Sequence, residues 1–431
     1  MDTIVPKDVL LPLPAPVWLL VALLLVSFLL HILFVNLMVG SSLLVLWTEI
    51  KGLKKKEWDR VSHAIAATIT VNKSLAVVLG VAPLLTISVL YTAQFYSSST
   101  LLGTAWLLVI PLVILAFLFT YAHKYSWDAL HESKGVHLAL MGVACALFLS
   151  LPLIFLANIN LMLYPEHWRE IRSFWDAVRL PNVFPRYFHF LMASLTLTAL
   201  FFVYYFRRKP ESLDLGSLQI HEVTRTFYGI ALAATAAQIL FGLLLFFTLP
   251  AHVISVRLIV TLAAVLALVP FALWWMWHEM TAEQPGRRLT RVVAVLSIVV
   301  ALMVWARHDV RETAVAPHRA AVTAKTAAYQ AQVAAAQDYL LMPGGLGGIP
   351  ASPGSLVFTR RCASCHAFER RLVGPALIEA LAAYRGNPQA LIGWILKPGR
   401  KRADYPAMPP QEIPKDELQQ LVEHLLQPAG R

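Results

Sequence analysis

The chain has 431 residues, 58% of them hydrophobic and 14% charged. Soluble domains carry about 25% charged residues, so this composition excludes an ordinary soluble enzyme and puts most of the chain in lipid. The formal net charge of +11 lies largely in short loops between apolar segments, as the positive-inside rule requires, and is no sign of nucleic-acid binding.

The chain opens Met-Asp and reaches its first apolar run without a basic lead or a small-residue cleavage site, so no removable signal peptide is expected. Eight segments reach the roughly 20 apolar residues that a bilayer span needs. They run over 15–48, 63–93, 103–123, 136–163, 184–206, 222–249, 254–277 and 290–307. The first, second and fourth exceed a minimal span and should tilt or project beyond the lipid. The loops alternate in charge. Lys51, Lys54, Lys55, Lys56 and Arg60 follow the first span, Arg207, Arg208 and Lys209 the fifth, and Arg287, Arg288 and Arg291 the seventh. The second loop, Gln94 to Gly103, is uncharged, and the sixth, Leu249 to Ile254, is nearly bare. The fourth mixes Arg169, Arg172 and Arg179 with Glu166, Glu170 and Asp176. Odd-numbered loops are therefore expected in the cytoplasm and both termini outside. That predicts a multi-pass protein of the bacterial inner membrane whose C-terminal part lies in the periplasm.

Histidines inside spans are costly and mark functional candidates. His31 lies in the first span and His189 near the outer end of the fifth. His252 sits at the outer end of the sixth, and His123 and His278 at inner ends, where a solvated interfacial tip is the plainer reading. Hydrogen-bonded core histidines remain the alternative for the first three. Lys73, deep in the second span, is a further costly charge that could meet a haem propionate, a quinone or a partner subunit. Cys145 sits in an apolar run and reads as a small core side chain.

After the last span, residues 309–340 are rich in Ala, Gln and Val and predict a helical stalk. The Gly- and Pro-rich stretch 343–350 breaks it as a hinge. Residues 352–431 then form a small soluble domain, marginal on its own core and expected to gain from a buried apolar cofactor. It holds Cys362-Ala363-Ser364-Cys365-His366. C-x-x-C-H is the covalent attachment signature of haem c. On a helix the two thiols would lie one turn apart on one face, with His366 on the same side to ligate iron. A redox or zinc reading leaves His366 unexplained or short of ligands. The run Lys415–Leu426 predicts a closing amphipathic helix with Leu418, Leu421, Val422 and Leu425 inward.

With Gly374-Pro375 after the histidine and Met408 in a Tyr-Pro-Ala-Met-Pro-Pro segment, residues 352–428 resemble the class I cytochromes c. The resemblance implies that the Pro375 carbonyl accepts a hydrogen bond from the proximal imidazole, orienting the ring. It also makes Met408 the sulfur ligand opposite His366, a pairing that raises the potential and leaves no open site for substrate. An ordinary gap-filling core methionine is the alternative for Met408. The first six spans resemble, distantly, subunit I of the cytochrome bd oxidases. The pattern H-x-L-F-V-x-L-x-x-G beginning at His31 carries that likeness, with Trp127-Asp128, Phe155 to Asn158, the segment Phe184 to His189, and Arg257 following in the family's order. It implies haem ligation by His31 and a low-spin haem b on His189. The chain departs from the family at Ile259, where a ligand methionine is expected, at Ala116 and Leu302 in place of glutamates, and in lacking the long quinol-binding loop. These departures tell against oxygen reduction and against quinol binding in the family's manner. A haem b held by His189 and His252 at one depth is a further candidate.

The sequence thus predicts an all-α protein: a polytopic bundle of about eight transmembrane helices over 1–308, a stalk and hinge over 309–351, and a cytochrome c domain over 352–431. The expected function is electron transfer, as a subunit of a respiratory oxidoreductase complex, between a membrane haem b, quinol or partner subunit and a soluble periplasmic cytochrome or similar carrier. The alternatives are a cytochrome c-fed divergent bd-like reductase, and a membrane scaffold with haem c as its sole cofactor.

Overall fold

The computed structural model describes residues 13–208, 215–283, 285–341, 352–401 and 404–427, without the side chains of 70–74 and 335–341. Lys73, Lys209 and the hinge at 343–350 fall outside what is described. The described residues are helical with no strand among them. They divide into two compact units, one ending at Thr323 and the other beginning at Ala324.

The first unit is an apolar helical bundle. Its long helices are α1 (Val17–Gly52), α2 (Lys56–Leu90), α3 (Thr92–Leu102), α4 (Val109–Tyr125), α5 (Lys134–Leu163), α6 (Val183–Arg208), α7 (Ile220–Phe247) and α8 (Val256–Thr281). The helix α9 (Leu289–Leu341) begins in this unit and passes the division. Among the described residues, seven helices are long and apolar enough to cross a membrane, or eight if the bent α2–α3 pair is one span. Large apolar side chains such as Trp18, Ile110, Phe247 and Val256 stand on the outside, which suits a lipid solvent and not water. The interior is filled by aromatic and branched residues: Ile65, Met141, Phe148, Phe202, Phe206 and Phe227 form one cluster. Tyr91, Phe95, Met162, Tyr164, Val310 and Val315 form another.

One expectation needs correcting here. The uncharged stretch from Gln94 to Gly103, expected as a loop, is the helix α3, turned 112° from α2. Its hydroxyls are satisfied by carbonyls one turn back, as in Ser99 to Phe95 and Thr100 to Tyr96, so a Ser/Thr-rich sequence stays helical without charge or water. The last span and the predicted helical stalk lie on one helix. α9 is continuous for 53 residues, about 80 Å at 1.5 Å per residue against a hydrocarbon core of about 30 Å. Its residues as far as Thr323 belong to the bundle, because Val310, Ala314 and Val315 are buried there.

The second unit contains α10 (Pro353–Arg361), α11 (Pro388–Leu396) and α12 (Lys415–Leu426), with short turns between them. Ser352 caps α10, its hydroxyl accepting from the Ser355 amide, and Asn387 caps α11 in the same way through Ala390. Leu418, Leu421, Val422 and Leu425 of α12 are all buried, in a core completed by Val357, Leu377, Leu391 and Ile395. Gly354 is required where α10 crosses α12: a Cβ there would stand 1.9 Å from the Gln420 carbonyl oxygen.

Candidate haem centre and membrane histidines

α10 ends at Arg361, and Cys362 is its capping residue. The cysteine pair therefore lies on a turn after the helix and not on a helix proper. The turn keeps a helical pitch: the His366 amide donates to the Cys362 carbonyl at 2.9 Å and the Cys365 amide to the same oxygen at 3.1 Å. That pitch holds the two thiols and the imidazole within a single loop. Cys362 is half-buried and Cys365 exposed. Burial, reinforced by the neighbouring Cys365, pushes the Cys362 thiol up to about 11.

His366 Nδ1 lies 3.4 Å from the Pro375 carbonyl oxygen; the N–H donates and the oxygen accepts. Beside it, a Cβ on Gly374 would meet the imidazole at 2.2 Å, so only glycine lets the chain pass this close to the ring. The Gly374 amide in turn donates to the Cys365 carbonyl at 2.8 Å. Together these contacts leave the ring one orientation and, with Nδ1 occupied, free its other nitrogen for iron. Just beyond the histidine, Leu372, Val373 and Ile378 are exposed apolar residues, a surface that a porphyrin would shelter. Met408 is half-buried in the non-helical stretch from Tyr405 to Pro410. Arg371 ties the two loops together, donating to the Asp404 carbonyl at 2.8 Å and lying over the Tyr405 ring. The residues present fit a covalent haem. Cys362 and Cys365 would bind it covalently, with His366 and Met408 as the candidate iron ligands.

In the bundle the sequence-predicted histidines stand apart. His31 packs against Gly80, its Nδ1 donating to the Ala76 carbonyl at 2.9 Å. His189 lies against α7, with Nδ1 at 3.1 Å from the Gln238 carbonyl and Nε2 at 3.2 Å from the Gln238 amide nitrogen. His252 is exposed in a short turn, Ala251–Val253, and not at the end of a long helix. Ile259 faces outward and Ala116 is fully buried among apolar groups. Arg257 reaches Asp309 at 3.7 Å, linking the start of α8 to α9. Asn158 is buried against Ser98 and Ser99.

Two constellations escaped the sequence. His123, expected as a solvated tip, is buried and bonded to Glu49, which also meets His137. Toward the other end of the bundle, Arg307, His308 and Arg311 line a cavity whose far wall is Leu24, Leu25 and Phe28 of α1. Arg311 is 5% exposed, and its Nε has no partner among the described residues. The available signals were a lone Glu49 at the end of an apolar helix and three arginine or histidine residues within one turn and a half of α9.

Residues 351–428 match the family model of cytochrome c. None of the curated proteins matches the chain. The C-terminal unit is thus a c-type cytochrome domain, which implies haem c and electron transfer. It is joined in one chain to an all-α membrane bundle that anchors it.

Proposed function

We propose that the protein is a subunit of a respiratory complex that moves electrons between a donor in the bacterial inner membrane and a soluble carrier in the periplasm, with the haem c domain as its outlet. The observation that carries this reading is the junction of a Cys-x-x-Cys-His loop, its histidine oriented by Pro375 and Gly374, with a lipid-facing bundle in a single chain. A haem c held there would supply one-electron transfer. His366 and Met408 would be its iron ligands, and the Pro375 carbonyl restrains the imidazole of His366.

Orientation rests on charge. Arg60 lies against Gly216, and Arg207 donates to the Gly286 carbonyl at 2.6 Å, so the basic odd-numbered loops gather at one end of the bundle. That end is cytoplasmic by the positive-inside rule, which leaves the haem c domain in the periplasm.

For the membrane donor, a haem b or a quinol is the candidate. His31 offers an imidazole whose Nδ1 is already bonded to a backbone carbonyl, the arrangement that prepares a ligating histidine. A specific observation favours the scaffold reading instead: both ring nitrogens of His189 are engaged by Gln238. A pyridine haemochrome spectrum of the purified protein separates the two. Bands of both b and c type support the conduit, and c bands alone leave the bundle an anchor. Protease accessibility of the C-terminal unit in right-side-out vesicles tests orientation; protection there would defeat the periplasmic assignment.

A further inference from the structure

Glu49 near the end of α1, His123 near the end of α4 and His137 at the start of α5 meet where water does not reach. Their side chains are 0%, 1% and 0% exposed, and one donor atom from each lies within 4.8 Å of the others. His123 Nε2 is 2.8 Å from one Glu49 oxygen, and His137 Nδ1 is in close contact with the other. His137 Nε2 lies 2.8 Å from the His123 carbonyl oxygen, and the two rings stack with centroids 3.9 Å apart.

Proton assignment makes this cluster unusual. A carbonyl oxygen only accepts, so His137 Nε2 must carry the hydrogen. A neutral His137 then turns the lone pair of Nδ1 onto a carboxylate oxygen, two acceptors face to face. The contact holds only if a positive charge sits between them. Lys134 does not supply it: its ammonium is 3.8 Å from Glu49 but lies 2.8 and 3.0 Å from the two oxygens of Asp59, whose charge it already matches. A buried carboxylate without its own cation is costly.

We propose that Glu49, His123 and His137 bind a divalent transition-metal ion of the zinc class, clamping α1, α4 and α5 at one end of the bundle. Two imidazole nitrogens and a carboxylate oxygen are a donor set suited to zinc, with neighbouring first-row metals competing by intrinsic affinity. A proton shared by His137 and Glu49 would answer one contact. A metal ion uses all three donors, which arrive from three helices. The bond from His137 to the His123 carbonyl is the outer contact that commonly orients a ligand histidine. A structural zinc site takes four donors, so both Glu49 oxygens, each already against one histidine, would join the two imidazole nitrogens; complete burial keeps substrate from the ion.

The test is elemental analysis of the full-length protein, purified without chelators from zinc-supplemented cells, with haem iron subtracted by haemochrome assay. About one equivalent of non-haem metal per chain is expected, and X-ray absorption at its edge should show only nitrogen and oxygen donors at about 2.0–2.2 Å. Glu49→Gln and His137→Ala should each lower metal content at least tenfold, with haem c unchanged. Because either variant could misfold, the wild-type protein decides alone. Less than a tenth of an equivalent would mean that a proton holds the contact and would overturn the proposal, as would sulfur in the shell or full metal content in both variants.

Discussion

The two units of this chain build their polar sites in opposite ways. In the C-terminal unit Cys362, Cys365 and His366 occupy five consecutive positions, and the contact that orients the histidine comes from Pro375, nine residues on. In the bundle, Glu49 reaches its partners His123 and His137 across 74 and 88 residues. A turn with helical pitch can assemble a site from neighbours, whereas packed helices assemble one from strangers. The first kind survives outside its tertiary context and the second exists only in it. Substitutions in the haem c loop should therefore act on one cofactor and leave the bundle intact, while those in the bundle should spread.

The largest effect is expected from Cys362→Ala together with Cys365→Ala. Without thiols no thioether forms, so covalent haem, read by haem staining after denaturing electrophoresis, should vanish while the bundle still inserts in the membrane. Retention of stained haem would remove the assignment of the motif. Next come His31→Ala and His189→Ala. If the bundle carries a haem b on either residue, the b-type bands should fall by half or more with the c bands unchanged; b bands indifferent to both substitutions would take these two histidines off the iron.

Met408→Ala is the intermediate case, because it changes the cofactor's surroundings and not its attachment. Loss of the thioether should lower the potential by a fraction of the roughly 0.8 V over which axial ligands tune haem, and it should open a site for carbon monoxide. A titration and a carbon monoxide difference spectrum check both, and a variant that matches the wild type in each would make Met408 an ordinary packing residue. Gly374→Ala tests the same loop more gently. A methyl group 2.2 Å from the imidazole forces the ring or the chain to move, an overpacking cost of about 1–3 kcal/mol. Lower thermal stability of the haem c domain and a shifted potential are expected; neither changing would show that the loop has slack.

The same contrast explains what could be read from the chain. Hydropathy exposed the spans because lipid selects composition over some twenty residues at a time. The spacing of Leu418, Leu421, Val422 and Leu425 gave the face of α12 because period 3.6 is local. The helix α3 was missed because its hydroxyls bond inward to their own backbone, which makes a polar, uncharged stretch look like a loop. The packing of α9 in the bundle as far as Thr323 carried no signal, because Asp309, Arg311 and Glu312 resemble the start of a solvated stalk. In the structure Glu312 is bonded to Tyr91 and Arg319, and Asp309 to Ser255. His137 carried no signal at all, since a histidine three residues past a lysine at a helix start reads as an interfacial tip until α1 supplies Glu49.

The smallest expected effect concerns His424 on α12. Its Nδ1 is 3.4 Å from the Ser352 hydroxyl, and the rings of Phe358 and Phe368 stand near it. Burial among these groups holds its pKa below the ordinary 6.5. Above pH 6.5 the imidazole is neutral in the folded and unfolded chain alike, and pH has no grip on stability through it. As the pH falls through 6.5 the unfolded chain takes up a proton that the folded domain resists, so unfolding becomes easier until the folded histidine titrates as well. Thermal unfolding of the full-length protein, followed through haem c absorbance, should thus shift to lower temperature between pH 7 and pH 5. His424→Gln keeps a hydrogen-bonding side chain of similar size without the titration, so it should flatten part of that slope. An unchanged slope in the variant would assign the acid sensitivity to other groups and leave α12 indifferent to its histidine.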